Sequence, residues 1–143
     1  MAKLFILLLI SFSCYSRGEG VPVWLFDKTI LLPSNCTFAV HASVNDESNV
    51  RFICESSDMN EKEDAWIWFL EYKAKNVEGL RSESSVRNFA VEELGNLMYY
   101  SFLTEEYGVV KTKSDMVCDD EICIHIVGSL KSEVSNFVIS QLQ

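Results

Sequence analysis

Positive charge is scarce in this sequence. It has 12 Lys and Arg residues against 21 Asp and Glu residues, which gives a formal net charge of −9. Nucleic acids, anionic membrane surfaces and heparin-like polyanions are bound by basic patches. Lys111 and Lys113 form the only basic cluster, and two lysines are too few for such a patch. The sequence therefore argues against these polyanions as partners, and we expect no nucleic acid to bind.

The sequence also lacks the short motifs of the common enzyme classes. It contains no Gly-x-Ser-x-Gly elbow, His-Glu-x-x-His motif, glycine-rich phosphate loop or dinucleotide fingerprint. Its two histidines, His41 and His125, alternate within apparent strands, and we expect both to be hydrogen-bonded sheet side chains. Adjacent carboxylates occur at 92–93, 105–106 and 119–120, where neighbouring side chains point apart and remain solvated. The chain is therefore predicted not to be an enzyme and to use no cofactor.

Long apolar runs are absent apart from one at the N-terminus. Lys3 precedes the apolar stretch 4–10, and small residues follow at Cys14 and Ser16, which is the pattern of a secretory signal peptide. The apolar stretch is shorter than the roughly 20 residues that span a bilayer. We therefore expect a signal peptide at residues 1–16 and a single secreted, extracellular domain at residues 17–143, without stable membrane insertion. Loss of Lys3 makes the mature chain still more acidic.

Cysteine usage fits the same compartment. The chain has five cysteines, and four remain after removal of the signal peptide: Cys36, Cys54, Cys118 and Cys123. An even number in an oxidising compartment predicts two disulfides, for which three connectivities exist. Zinc sites usually contain closely spaced pairs such as Cys-x-x-Cys, which these spacings do not provide, so no metal is predicted.

One connectivity is favoured by the local sequence. If a turn centres on Asn45, then Cys36 and Cys54 lie directly opposite each other in an antiparallel hairpin. Cys118 and Cys123 flank a tight acidic turn and can bridge across it. We therefore prefer Cys36 with Cys54 and Cys118 with Cys123.

Two polar segments are candidate surface sites. Asn35-Cys36-Thr37 is an N-glycosylation sequon, so Asn35 is a predicted glycosylation site at the surface. The segment 55–64 is rich in acidic residues but has no Gly, which the sharp turn of an EF-hand calcium loop requires. It is expected to be a solvated loop.

The pattern of apolar residues predicts the core. In the central strand Ala65–Lys73, Trp66, Trp68, Leu70 and Tyr72 fall on one face, and Ile67 and Phe69 fall on the other. Three further strands are predicted at Cys36–Ala42, Val50–Cys54 and Ile122–Val127.

A change of period predicts one main helix. Apolar residues recur at three- and four-residue steps from Val86 to Met98, and Gly95-Asn96 resembles a helix stop. These observations place a helix at Ser85–Leu94. The expected fold class is α+β, with a small disulfide-bonded antiparallel sheet and the helix packed on one face. The segment 134–142 fits either a short helix or a strand.

Two family resemblances suggest alternatives. Cys54, Ile67-Trp68 and Cys118 with the strand after it resemble the Cys…Trp…Cys framework of the immunoglobulin domain, which implies a β-sandwich with a Cys54–Cys118 disulfide. Phe89-Ala90-Val91-Glu92-Glu93, followed by Asn96, resembles the helix motif of the cystatin family, which implies inhibition of cysteine proteases.

The leading functional hypothesis is a secreted, N-glycosylated, disulfide-stabilised interaction protein that binds an extracellular protein partner, such as a receptor, ligand or host factor. The first alternative is a cystatin-like cysteine-protease inhibitor. The second is a carrier of a small apolar ligand, suggested by Trp24, Trp66 and Trp68 and the many other aromatic residues.

Overall fold

The computed structural model describes residues 20–39, 50–57, 63–70 and 74–143. The predicted signal peptide, His41 and half of the acidic segment lie outside these ranges. Neither described helix has the length and apolar character that crossing a membrane requires. The elements are β1 Val21–Leu25, β2 Lys28–Leu32, β3 Cys36–Ala39, β4 Val50–Glu55, β5 Glu63–Leu70, α1 Ala74–Gly79, β6 Val86–Leu94, β7 Leu97–Glu106, β8 Val109–Cys118, β9 Cys123–Gly128 and α2 Val134–Ile139, with a 3-10 turn Leu80–Ser82 after α1.

Within the described ranges, seven strands form one antiparallel sheet in the order β3-β4-β5-β9-β8-β7-β6. Two meanders build it, β3 to β5 and β6 to β9, and the last strand of the second meander pairs with the last strand of the first. The remaining strands, β1 and β2, form a separate hairpin. All neighbouring strands are therefore joined by antiparallel ladders.

The sheet has an apolar core on each face. On the first face, the β1–β2 hairpin and α2 cover the sheet, and their buried residues pack with those of β4, β5, β8 and β9. Ile67 and Ile126 are directly opposite each other at the centre of this core. On the second face, Val77 of α1 packs with Tyr100, Phe102 and Met116. Successive side chains of a strand point to opposite faces of the sheet. Every second residue of β5 and β9 therefore lies in the first core, and the residues between them lie on the second face.

The predicted helix at Ser85–Leu94 is wrong, and with it the α+β fold class, because this segment is the edge strand β6. A bulge lies between Arg87 and Ala90, where Asn88 adopts a φ of 54°. The extra residue shifts the alternation, so that Val86 and Phe89 both pack on the second face. A strand pattern interrupted by a bulge therefore produced the spacing that resembled a helix.

The end of the predicted helix is also reassigned. Gly95 and Asn96 form the two-residue turn of the β6–β7 hairpin, between the paired residues Leu94 and Leu97. Gly95 has a φ of 65°, and glycine at the first position of a two-residue turn is typical of type II′. The same dipeptide that can stop a helix thus closes a hairpin here.

Both family resemblances fail on structural grounds. The immunoglobulin-like alternative requires a Cys54–Cys118 disulfide, but Cys36 is bonded to Cys54 and Cys118 to Cys123. Two meanders in one sheet also differ from the Greek-key sandwich of that fold. The stretch that resembles the cystatin helix is part of strand β6.

The simpler patterns were predicted correctly. The structure has strands at Cys36–Ala39, Val50–Glu55, Glu63–Leu70 and Cys123–Gly128, within a residue or two of the expected bounds where those residues are described. It also has the two disulfides that the cysteine count predicts, each between residues directly opposite in a ladder. The segment that fits a helix or a strand is the helix α2.

Candidate functional site

On the second face of the sheet, three buried polar atoms lie side by side and have no hydrogen-bond partner among the described residues. They are Nε of Arg51, Nε1 of Trp68 and Nε2 of His125. Arg51 is directly opposite Trp68 in the β4–β5 ladder, and Trp68 is directly opposite His125 in the β5–β9 ladder. Opposed residues of antiparallel strands project from the same face, so the three side chains form one row, which we call the donor row.

The positive charge of the donor row is the guanidinium group of Arg51, which lies over the rings of Trp66 and Trp68. The guanidinium carbon of Arg51 is 4.1 Å from the ring centroid of Trp66 and 5.9 Å from that of Trp68. These separations are within the range of cation–π attraction. The two ion pairs among the described residues are Arg87–Glu105 and Lys113–Asp115, so no described carboxylate neutralises Arg51.

His125 ends the donor row among apolar neighbours. It lies opposite both Trp68 and Met116, and its ring centroid is 6.3 Å from that of Phe102. Burial lowers the pKa of His125 to about 4, although the nearby Asp115 acts in the opposite direction. The imidazole is therefore neutral at neutral pH. The sequence predicted a hydrogen-bonded side chain, but Nε2 has no hydrogen-bond partner in the part of the chain that the structure describes.

A second polar group is buried on the opposite face. Asp115 is 1% exposed, and its Oδ1 accepts a 2.6 Å hydrogen bond from the Tyr99 hydroxyl. Its Oδ2 accepts no hydrogen bond but has the ammonium group of Lys113 3.1 Å away as a counterion. Burial, followed by the Asp115 hydrogen bond, raises the pKa of Tyr99 to about 12. The Tyr99 hydroxyl therefore stays protonated and can donate its hydrogen bond. The Asp115 carboxylate is paired with the Lys113 ammonium group inside the fold.

An apolar surface lies where the hairpin meets α2. Trp24 is 69% exposed, Leu31 36% and Phe137 45%. Trp24 and Leu31 are diagonal neighbours on the outer face of the hairpin, because Trp24 pairs with Thr29 and Leu31 with Pro22. We call Trp24, Leu31 and Phe137 the hairpin–helix surface.

One side chain ties this surface together. The amide of Gln141 accepts a hydrogen bond from the Leu31 N–H at 2.8 Å and donates to the carbonyls of Leu31 and Phe137, both at 2.9 Å. The inner side of the hairpin is anchored by Ile30 and Leu32, both fully buried. The exposed apolar residues therefore stand on a fixed platform.

The predicted glycosylation site is accessible. Asn35 is exposed in the turn before β3, and its Nδ2 donates a 2.6 Å hydrogen bond to the carbonyl of Glu55. Thr37 of the sequon is also exposed. Glycosylation of Asn35 stays a prediction.

The paired carboxylates do not assemble into a site. Glu92 and Glu93 are exposed on β6, and Asp119 accepts hydrogen bonds from the backbone of Glu121 and Ile122, which closes the turn inside the second disulfide. Among the residues that the structure describes, no three His, Cys, Asp or Glu side chains gather in a metal-binding arrangement.

Sequence reasoning found one of the three residues of the donor row, Trp68. The alternation of β5 placed Trp66 and Trp68 on one face, and this is confirmed by their shared neighbour Arg51. It missed Arg51 and His125, because their positions depend on the register of β4 and β9 against β5. Aligning the apolar residues of β4, β5 and β9 on one face would have predicted the register that places Arg51 and His125 beside Trp68.

Comparison of the chain with protein-family models, with curated proteins and with solved structures finds no match.

Proposed function

We propose that this chain is a secreted, disulfide-stabilised interaction protein that binds an extracellular protein through the hairpin–helix surface. The observation that carries the proposal is Trp24, a tryptophan 69% exposed on a well-anchored strand. Tryptophan is among the residue types that contribute most to binding free energy at protein interfaces. Contiguous exposed apolar groups are typical of interaction sites on soluble proteins.

The energetics favour a protein partner. Burying one large apolar side chain stabilises a complex by roughly 1.5–3 kcal/mol before the costs of association are subtracted. Trp24, Leu31 and Phe137 together offer a centre of this kind. Since the inner residues of the hairpin and α2 are buried, little ordering is needed on binding, which reduces the entropic cost.

Charge indicates which partners are favoured. The chain carries a formal net charge of −9, so its long-range field attracts basic surfaces and repels acidic ones. We therefore expect the partner to present an apolar pocket for Trp24 with a basic rim around it. The association rate should fall as ionic strength rises, because salt screens this attraction.

The covalent features support the same proposal. Two disulfides are typical of small proteins in oxidising compartments, and an exposed sequon is where a glycan would be attached. The cystatin-like alternative is not proposed, because its motif lies in a strand.

The test is partner identification followed by affinity measurement with purified components. The glycosylated protein, secreted from eukaryotic cells and immobilised, would capture partners from extracellular fluid, and each candidate would be purified and its Kd measured. We expect Trp24→Ser to weaken binding by about tenfold or more, which corresponds to 1.4 kcal/mol per factor of ten.

Tyr107→Ser is the matched control. Tyr107 is 97% exposed at the tip of the β7–β8 hairpin, away from the hairpin–helix surface, so its loss should leave the Kd unchanged. A partner that binds the Trp24→Ser variant as tightly as the parent protein would contradict the proposal. Concentration-dependent self-association through Trp24, seen by sedimentation, would contradict it as well, since the surface would then join two copies.

A further inference from the structure

We propose that the donor row is a binding site for a small organic anion, an apolar carboxylate, held between Arg51 and Trp68 with its apolar part against the two indoles. This inference is independent of the protein-binding proposal, because the donor row lies on the second face of the sheet and the hairpin packs on the first.

The chemistry of the three atoms determines which ligand groups can pair with them. Arginine and the indole N–H can only donate hydrogen bonds, so the groups that would satisfy Arg51 and Trp68 must be acceptors. A neutral imidazole contributes one more donor or acceptor at Nε2 of His125. Leaving a buried polar group unpaired is unfavourable, and more so when the group is charged. Three such groups in adjacent positions therefore favour a ligand that pairs with them together.

Geometry limits the size of the acceptor group. Opposed residues in an antiparallel ladder have Cβ atoms about 5 Å apart, so the row of three spans about 10 Å. The two oxygens of a carboxylate can accept from Nε of Arg51 and Nε1 of Trp68 at once. Charge adds to this preference, because Arg51 has no carboxylate partner among the described residues.

The surroundings select an apolar body for the ligand. Trp66, Trp68, Ile53 and Val127 lie on the same face and are half-buried, so they are within reach of a molecule that approaches from solvent. The donor atoms themselves are buried, so a ligand reaches them only if an indole side chain moves aside. A strongly hydrated ion such as inorganic phosphate would gain nothing from these indoles.

The probe is decanoate, compared with decan-1-ol and with inorganic phosphate. In a Trp24→Phe background, Trp66 and Trp68 are the remaining tryptophans, so their fluorescence reports on the donor row. We expect decanoate to change the emission saturably and to bind about tenfold more tightly than decan-1-ol, because a hydrogen bond to a charged group is stronger than one between neutral groups. Phosphate at the same concentration should have no effect.

Two variants test the donors. Trp68→Phe keeps an aromatic ring but removes Nε1–H, and Arg51→Gln removes the charge. Each should weaken decanoate binding by about tenfold and decan-1-ol binding by less, because the alcohol carries no charge. Arg81→Gln is the matched control, since the Arg81 guanidinium also lies over an aromatic ring, at 5.2 Å from Phe89. Circular dichroism would establish that each variant is folded.

Three outcomes would overturn the proposal. One is the absence of saturable decanoate binding at millimolar concentration, which would assign the unpaired donors to water. Another is equal affinity for decanoate and decan-1-ol, which would mean that only the apolar surface binds. The third is unchanged affinity in both Trp68→Phe and Arg51→Gln.

Discussion

The Tyr99 hydroxyl donates a 2.6 Å hydrogen bond to Oδ1 of Asp115, a carboxylate that is 1% exposed inside the sheet. The two residues sit on adjacent strands and share the face that the β1–β2 hairpin and α2 cover. A buried charge without partners is very costly, so the phenol and the ammonium group of Lys113 make this carboxylate tolerable in the core.

Removal of the phenol should therefore destabilise the fold. In Tyr99→Phe, Oδ1 of Asp115 loses its donor, and we expect the free energy of unfolding to fall by about 1–3 kcal/mol. Urea denaturation followed by circular dichroism measures this change. Tyr107→Phe is the control, because Tyr107 is 97% exposed, and its effect should stay within about 0.5 kcal/mol. Equal stability of the two variants would show that the hydrogen bond contributes nothing.

Acid should destabilise the protein through His125. Its pKa is about 4 in the folded state and about 6.5 when unfolded, so below pH 6.5 the unfolded state binds more protons. Stability attributable to His125 is complete above pH 6.5 and falls as the pH drops towards 4. The expected slope approaches 1.4 kcal/mol per pH unit at most.

The effect of acid on the parent protein is compared with its effect on His125→Phe. Phenylalanine suits the apolar neighbours Trp68, Met116 and Phe102, and it cannot be protonated. The stability difference between variant and parent should grow in favour of the variant between pH 6.5 and pH 4, and should be constant above pH 7. Parallel stability profiles over the whole range would mean that His125 is protonated equally in both states.

Two hairpin turns have similar backbone angles, and we expect substitutions in them to change the free energy of unfolding in opposite directions. Phe26 and Asp27 have φ of 50° and 59°, and Tyr107 and Gly108 have φ of 52° and 77°. Two positive φ values in a row are typical of type I′, which favours glycine at the second position. Asp27→Gly should raise the free energy of unfolding by about 0.5 kcal/mol, and Gly108→Ala should lower it by about 1 kcal/mol. Thermal unfolding would measure both changes, and changes of equal sign would contradict the turn assignment.

The two disulfides should differ in how much they stabilise the fold. Cys36–Cys54 closes a separation of 18 residues and Cys118–Cys123 one of 5. A longer loop loses more entropy in the unfolded chain, so removing the first should cost about 1 kcal/mol more than removing the second. Double alanine variants of each pair, compared by urea denaturation, give the difference, and the cavities are comparable because all four cysteines are buried. A larger loss for the shorter loop would contradict this order.

The sequence predicted the strands whose apolar pattern is uninterrupted. In β5, Ile67 and Trp68 alternate without a break, and the direction of each side chain could be predicted from period two alone. Strand β6 could not be predicted in this way, because the bulge at Asn88 adds a residue that only pairing with β7 makes visible. Nor could the donor row be predicted in advance, since Arg51 and His125 are 74 residues apart in the sequence and both lie beside Trp68 only because of the register of two ladders.

The central position of β9 determines when the fold can be completed. The ribbons β3 to β5 and β6 to β8 pair locally, but β5 and β8 each lack a partner on one side until residues 123–128 insert between them. Open strand edges are templates for aggregation. A nascent chain arrested before Cys123 would therefore expose the edges of β5 and β8 to other chains until β9 left the ribosome.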